Sequence, residues 1–463
     1  MKKMLFWILV LTMCVSIAAE VIAQEAATIN VPKVLGWVTT NGLFPAITKK
    51  LADKNITVVP IESDNMTLRD KQLMAAANKT GEFDLYIAWE AFQPLMKDYV
   101  EPLDDYLVKA GINLEEFKKK WYPSVLDQIT IDGKICWIPI HVNHQLGYAR
   151  TDLFTDPKEQ ENFKAEYGYD MPIPDESGTI IFKDKKQFVD VAKFFTRDTN
   201  NDGEIDLWGY DPPGKWDHGC CVFEEILLRS GLEYFDPKGH SMWGPAHPEN
   251  QQVVKDVVQW MQDLVLKDKV VSPGTVGMEM TEVNQLFKEG KAAMSFTWNV
   301  DFWGEDTKPE VMKAWGDTKP SSWSIDFVNI SPEYKGIMSI WAYALNKDSK
   351  NKDAAVEFLL ACADSELRKG VHSTVGLPCG NGEVELTEWL VKNNYAPGAV
   401  VAGIQSVGSF WPISKTPWEE TESVRDVCRE NLEKLLSGTL SPSAFVKVTG
   451  EKIEGIMKDA GHF

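Results

Sequence analysis

The sharpest chemical pattern in the chain is Asp198-Thr199-Asn200-Asn201-Asp202-Gly203-Glu204-Ile205-Asp206. Oxygen-bearing side chains recur at alternate positions: Asp198, Asn200, Asp202, Glu204 and Asp206. Gly203 takes the sixth place, where a calcium loop makes its tight turn. The twelfth place calls for a bidentate Glu and holds Gly209 instead. The loop therefore reads as a calcium site only if a distant carboxylate completes it. Otherwise it is an Asx-rich turn that bonds its own backbone, and no cofactor is expected. His141-x-x-His144 on a strand would point its rings to opposite faces, a poor chelate. His218 near Cys220 suggests an activated thiol, but in an exported chain a bonded or buried thiol is the favoured reading. The chain has no His-Glu-x-x-His, Gly-x-Ser-x-Gly or Walker loop.

Non-covalent chemistry is better supplied. The chain has 17 Trp, a residue that is seldom fully buried and offers an apolar plate with one N–H. Trp37, Trp89, Trp216, Trp298, Trp411 and Trp418 fall in expected loops or at strand ends. Polar groups sit beside several of them. Thr40 and Asn41 follow Trp37, Glu90 follows Trp89, and Asp217 and His218 follow Trp216. Asn143 and His144 lie in an alternating stretch, 140–148, whose polar members are neutral hydrogen-bonding groups. One dry face and one face of amides and imidazoles suit the wall of a wet cleft. The same residues also read as an ordinary edge strand and core indoles.

The elements that must hold these groups follow from periodicity. A strand is expected at 31–39, a helix through Ile47 and Leu51, a strand at 56–61, a helix at 68–78 and a strand at 83–88. This β-α-β-α-β order predicts a parallel sheet covered on both faces, with ligands at the strands' carboxyl ends. Those ends are Trp37–Asn41 and Trp89-Glu90. Further helices are expected at 95–109, 114–121, 182–196, 224–230, 251–266, 282–288 and 353–362. Strands are expected at 292–296 and 337–345. The stretch 131–154 opens with the turn pair Asp132-Gly133 and is interrupted by Pro139, which has no N–H for a central ladder.

With 463 residues the chain exceeds one comfortable core, so two or more lobes are expected. A net charge of −20 argues against non-specific binding to nucleic acid or anionic membranes. Lys2-Lys3, the short apolar run 5–15 and the small residues Val21 and Ala23 read as a signal peptide over 1–23, cleaved before Gln24. Met13 is too large for the residue before a lipidated Cys, so anchoring at Cys14 is not expected. No later segment has roughly twenty uninterrupted apolar residues. Of the seven cysteines, Cys362 and Cys379 are near enough in the chain to pair. Adjacent Cys220 and Cys221 are not expected to bond each other. All six beyond Cys14 also read as small buried hydrophobes.

A set of short motifs runs in order along the chain: Gly81-Glu82-Phe83-Asp84-Leu85, Val100-Glu101-Pro102-Leu103-Asp104, Asp132-Gly133-Lys134, Tyr148 before Asp152-Leu153-Phe154, Gly290-Lys291-Ala292-Ala293-Met294, Ala344-Leu345-Asn346-Lys347-Asp348 and Gly376-Leu377-Pro378. In this the chain resembles the extracellular solute-binding proteins of ABC importers, family 1, the maltose-binding-protein-like group. One departure is Thr297-Trp298-Asn299, where the family usually carries Gly-Pro before its cleft Trp. The resemblance implies an α/β, two-lobe periplasmic-binding-protein fold of type II, each lobe a mainly parallel sheet flanked by helices. It places one lobe at 24–142 and 329–385 and the other at 143–328 and 386–463. Strands would cross near 140–143 and 323–330, with a return near 377–385. It implies capture of a sugar or polyol by hinge closure and delivery to permease subunits by a periplasmic monomer. Trp89, Trp298 and one of Trp411 or Trp418 would be stacking plates, with Glu90, Asn143, His144, Asp217 and His218 as hydrogen-bonding groups. Two alternatives stay open. One is a secreted carbohydrate-active enzyme, whose acid pairs leave no local pattern. The other is a non-sugar ligand such as a polyamine, which Glu90 and Asp217 would pair with.

Overall fold

Strand Trp137–Ala149 is 13 residues long, and at about 3.3 Å per residue it runs roughly 40 Å. That is enough to leave one hydrophobic core and enter another. The computed structural model describes residues 26–35, 38–175, 179–298, 321–325, 337–375, 382–393, 411–412 and 418–463. One core gathers residues from Ile29 to Val142 and from Ile340 to Leu386. The second gathers Ala149 to Phe296 and Val424 to Met457. Ile337–Leu345 pairs antiparallel with Trp137–Ala149, from Met338↔His144 to Ala344↔Trp137. These two strands cross together between the cores.

The crossing carries a bulge. Trp341 opposes His141 and Ala342 opposes Pro139, so Ile140 is the extra residue. Pro139 is tolerated in a central strand because the ladder is already broken there. The carbonyl of Ile140 accepts a 2.8 Å hydrogen bond from Nη2 of Arg368, which is only 1% exposed. A second crossing expected near 323–330 lies partly outside the described residues. Its described part, Ser321–Ile325, pairs with Gly147–Ala149 on the side of the second core.

In the first lobe, Ala27–Val34 and Ile56–Ser63 pair in parallel. Leu85–Ala88 adds antiparallel to Ile337–Leu345. The strand expected over 31–39 ends at Val34, and helix Val38–Ala52 follows. The β-branched run Val38-Thr39-Thr40 favours a strand locally. Leu43, Phe44, Ile47 and Leu51 nevertheless lie buried on one helical face, and that packing wins. The helix expected over 95–109 is broken into Gln93–Met96 and Asp104–Lys109, with Pro102 between them. In the second lobe, helices Trp216–Arg229, Gln251–Leu266, Thr421–Leu436 and Pro442–Asp459 pack together. Met294–Trp298 pairs antiparallel with Gln145–Ala149, and Thr179–Phe182 pairs in parallel with Ser322–Ile325. Cys136, Cys220, Cys221, Cys362 and Cys428 are buried free thiols; Cys379 lies outside the described residues. Among the described residues no helix is long and apolar enough to cross a membrane.

Arg368→Met keeps the bulk but strands the Ile140 carbonyl. It is expected to cost about 1–3 kcal/mol of stability, measured by urea unfolding. An unchanged midpoint would contradict this role for the bulge.

Candidate functional site

Trp89 and Glu90 follow the last residue of strand Leu85–Ala88 and open directly into a cavity of about 320 Å³. The cavity lies between the two cores. The first lobe contributes Trp89, Glu90, Trp341, Asn65 and Met66. The second contributes Trp216, Asp217, His218, Glu279, Trp298, Arg425 and Arg429. The crossing strands form the floor: Ser339 opposes Asn143, Trp341 opposes His141, and Trp298 opposes Gln145. Residues directly opposed share a face, which explains why Ser339, Trp341 and Trp298 meet in one cavity.

The indoles of Trp89 and Trp341 lie 5.2 Å apart between centroids, tilted by 42°. Phe92 backs Trp89 at 5.2 Å. Glu90 is 1% exposed. Its Oε2 accepts from Ser339 Oγ at 2.7 Å and from the Ile340 N–H at 3.0 Å. Burial pushes the carboxyl up to about 7, against the opposing pull of the Ser339 bond and the Arg425 charge.

The opposite wall is the start of helix Trp216–Arg229. This helix begins eight residues before the expected 224–230 segment, because Gly214 and Gly219 act as close-packing residues and not as breakers. A Cβ on Gly219 would sit 2.6 Å from the Gly214 carbonyl oxygen. Trp216 enters the helix with φ of 41°, a left-handed value that is rare for a bulky residue and concentrates at functional sites. Asp217 lies in the first turn, where the helix dipole favours a carboxylate. It accepts from Arg429 Nε at 3.1 Å and pairs with Arg425 at 3.0 Å. Arg425 also reaches Glu224 at 2.8 Å and Glu422 at 3.1 Å. Arg429 reaches Glu422 at 3.2 Å and Asp426 at 2.6 Å, and its guanidinium lies 5.9 Å from the Trp216 ring centroid. Burial alone would raise the carboxyls of Asp217 and Glu422. The charges of Arg425 and Arg429 outweigh it and hold both below the usual range. His218 Nδ1 is hydrogen-bonded to Glu279 Oε2.

Of the residues nominated from sequence, Trp89, Glu90, Trp216, Asp217, His218 and Trp298 meet in this cavity. Thr40 and Asn41 lie in the first turn of helix Val38–Ala52. Asn143 pairs with Ser339 and His144 with Met338 in the crossing. Trp411 pairs with Ile337. Trp418 packs edge-on against His462 at 4.4 Å beside the second core. Trp37 lies outside the described residues. The 198–206 loop bonds itself: Asp198 accepts from the N–H groups of Asn200, Asn201 and Gly203. Asn200, Asp202 and Asp206 cap the N–H groups of Asp202, Glu204 and Thr199. Among the described residues no three His, Cys, Asp or Glu side chains are grouped to hold a metal. Sequence reasoning missed Ser339, Trp341, Glu279, Arg425 and Arg429. One signal was available for the arginines. Glu422, Arg425 and Arg429 share a helical stripe with Val424, Cys428 and Leu432.

A family model described as "Bacterial extracellular solute-binding protein" matches residues 39–366. The chain belongs to that family. Solved structures of similar fold include an ABC transporter solute-binding protein from Agrobacterium vitis with bound D-mannitol. It is 19% identical with a TM-score of 0.71, covering 94% of this chain and 99% of its own. The maltose/maltodextrin-binding domain from Bdellovibrio bacteriovorus, bound to maltotriose, is 21% identical with a TM-score of 0.68, over 94% and 99%. A solute-binding protein from Thermotoga lettingae with alpha-D-tagatose is 16% identical with a TM-score of 0.69, over 93% and 100%. These likenesses share the two-lobe architecture of this solute-binding protein.

Glu90 makes the stability of this solute-binding protein pH-dependent. Its carboxyl titrates near 4.5 when unfolded and at about 7 when folded. The folded state therefore holds more protons in between. The stabilisation is complete below the unfolded value and is lost as pH rises through the folded one. Asp211, pushed up to about 6 by burial, acts in the same direction and is unchanged in a Glu90 variant. From about pH 5 to about pH 8 the melting temperature of Glu90→Gln is expected to fall less than that of the wild type. Parallel curves would contradict the buried state of Glu90.

Proposed function

We propose that the protein is the exported binding component of an ABC importer and captures a sugar or sugar-like polyol by closing its two lobes. The observation that carries this reading is the cavity itself. Four indoles from both lobes, Trp89, Trp341, Trp216 and Trp298, surround about 320 Å³ together with charged hydrogen-bonding groups. Sugar rings and polyols offer an apolar C–H face and a rim of hydroxyls, which indole plates and fixed polar groups match. The ligands in similar folds, D-mannitol, alpha-D-tagatose and maltotriose, support the same class. The basic and apolar start of the sequence supports export, and the family supports an extracellular or periplasmic site of action. Permease subunits are the partners this role requires, and a monomer is the state expected for it.

Several of the described polar groups of the cleft are already engaged with one another. Asp217 is committed to two guanidiniums. Glu90 is tied to Ser339 and Ile340. Burial pushes the thiols of Cys220 and Cys221 well above their ordinary value, so they stay protonated and poor nucleophiles. A glycosidase reading is tested directly. Purified protein mixed with mannitol, tagatose, maltotriose or putrescine is expected to melt several degrees higher with at least one of the first three, at about 100-fold excess over Kd. Chromatography is expected to recover the ligand unchanged. Released product would refute the binding reading, and a shift with putrescine alone would replace the sugar class with a polyamine. Trp89→Ala is expected to weaken binding at least about tenfold; equal affinity would remove Trp89 as a plate.

We infer that the 198–206 loop folds without an ion, because its side chains already bond its backbone. Calcium addition or chelation is expected to leave the melting temperature unchanged. A clear rise with calcium would reverse this reading.

A further inference from the structure

Glu422 stands where the two lobes meet. It opens helix Thr421–Leu436 on the second lobe and is 4% exposed. Within its own lobe it accepts from Arg425 Nη1 at 3.1 Å and Arg429 Nη1 at 3.2 Å. Asp217 of the same lobe adds a like charge nearby, and two further polar neighbours belong to the first lobe. Trp89 Nε1 donates to its Oε1 at 3.3 Å, and Arg69 Nη1 lies 3.7 Å from its Oε2. Arg69 projects from helix Asn65–Asn78, whose first residues, Asn65 and Met66, line the cavity. A second ion pair between the lobes, Lys97–Glu419 at 2.7 Å, lies nearly half exposed on both sides, so solvent screening leaves it little weight. The buried carboxylate is the stronger link.

We propose that Glu422 is a positioning residue that joins the cleft plate Trp89 to the closed arrangement of the lobes through Arg69. Opening the cleft separates Glu422 from Trp89 and Arg69 but leaves it with Arg425 and Arg429. The carboxylate therefore stays charged in both states, and only the closed state adds the first-lobe contacts. Such a differential contact shifts the equilibrium between open and closed forms. The same bond fixes the Trp89 indole in one orientation once the lobes are closed. The proposal rests on the binding reading only through the role of Trp89, because closure itself is measured without ligand.

The test is small-angle X-ray scattering on the ligand-free mature protein, comparing wild type with Arg69→Ala, Glu422→Gln and the double variant. Circular dichroism checks that each one folds. Arg69 is partly exposed on a surface helix, so its variant keeps the test alive if the Glu422 change disturbs packing. At about 50 mM salt both single variants are expected to show a larger radius of gyration than wild type. The double variant is expected to expand no further than Glu422→Gln, since both changes remove one shared contact. At about 500 mM salt the difference between wild type and Arg69→Ala is expected to shrink. Either single variant scattering like wild type would overturn the proposal, and so would fully additive expansion. A ligand screen that fails would sink the sugar reading and leave this result standing.

Discussion

The cleft depends on two buried guanidiniums. Arg425 and Arg429 are 2% and 1% exposed, and taking an ion from water into a protein interior costs several kcal/mol even after relaxation. The cost is offset only where carboxylates are held at bonding distance with good geometry. Asp217, Glu224 and Glu422 supply that compensation from two helices. Neither helix is then free to rotate or slide. The start of Trp216–Arg229 must face the cavity so that Asp217 reaches both arginines. Trp216 and His218 are carried to the same wall by this requirement, since they flank Asp217 in the chain.

The other wall and the floor obey a different constraint. Two long strands must pass between the cores without leaving polar backbone unpaired. They do so antiparallel to each other, with one bulge at Ile140 whose carbonyl is taken by Arg368. The bulge sets which face of each strand looks into the cavity beyond it. Ser339, Trp341 and Trp298 follow from that phase. Glu90 then anchors the floor to the first lobe by accepting from Ser339 and Ile340. A single carboxylate thus links a strand end, a crossing strand and the cavity.

Much of this was readable from sequence where local pattern and tertiary role agree. Trp89-Glu90 closes a short apolar strand, and Trp298 closes another, so their place at strand ends was foreseeable. Gln251–Leu266 and Ile337–Leu345 appear with the boundaries that periodicity suggests. The misses have physical causes. Val38-Thr39-Thr40 favours strand by residue type, but burial of Leu43, Phe44, Ile47 and Leu51 draws it into a helix. The start of helix Trp216–Arg229 was missed, and Gly219 inside it is required by a close backbone contact that no local pattern shows. Trp341 hides in a strand apolar on both faces, which gives no phase. Arg425 and Arg429 sit among Glu and Asp on a charged helix, and a solvated surface is the usual reading of such a run. The apolar residues Val424, Cys428 and Leu432 on the same stripe point the other way, and packing against Trp216–Arg229 decides for burial.

A guest held by both lobes must protect both at once. Hydrogen–deuterium exchange of the mature protein, with and without a polyol or sugar that raises its melting temperature, measures this residue by residue. The account predicts slower exchange together at Trp89–Gln93, at Asp217–Cys221, at Ser339–Trp341 and in the first turn of Thr421–Leu436. Protection confined to one lobe, or spread over segments that do not border the cavity, would contradict it.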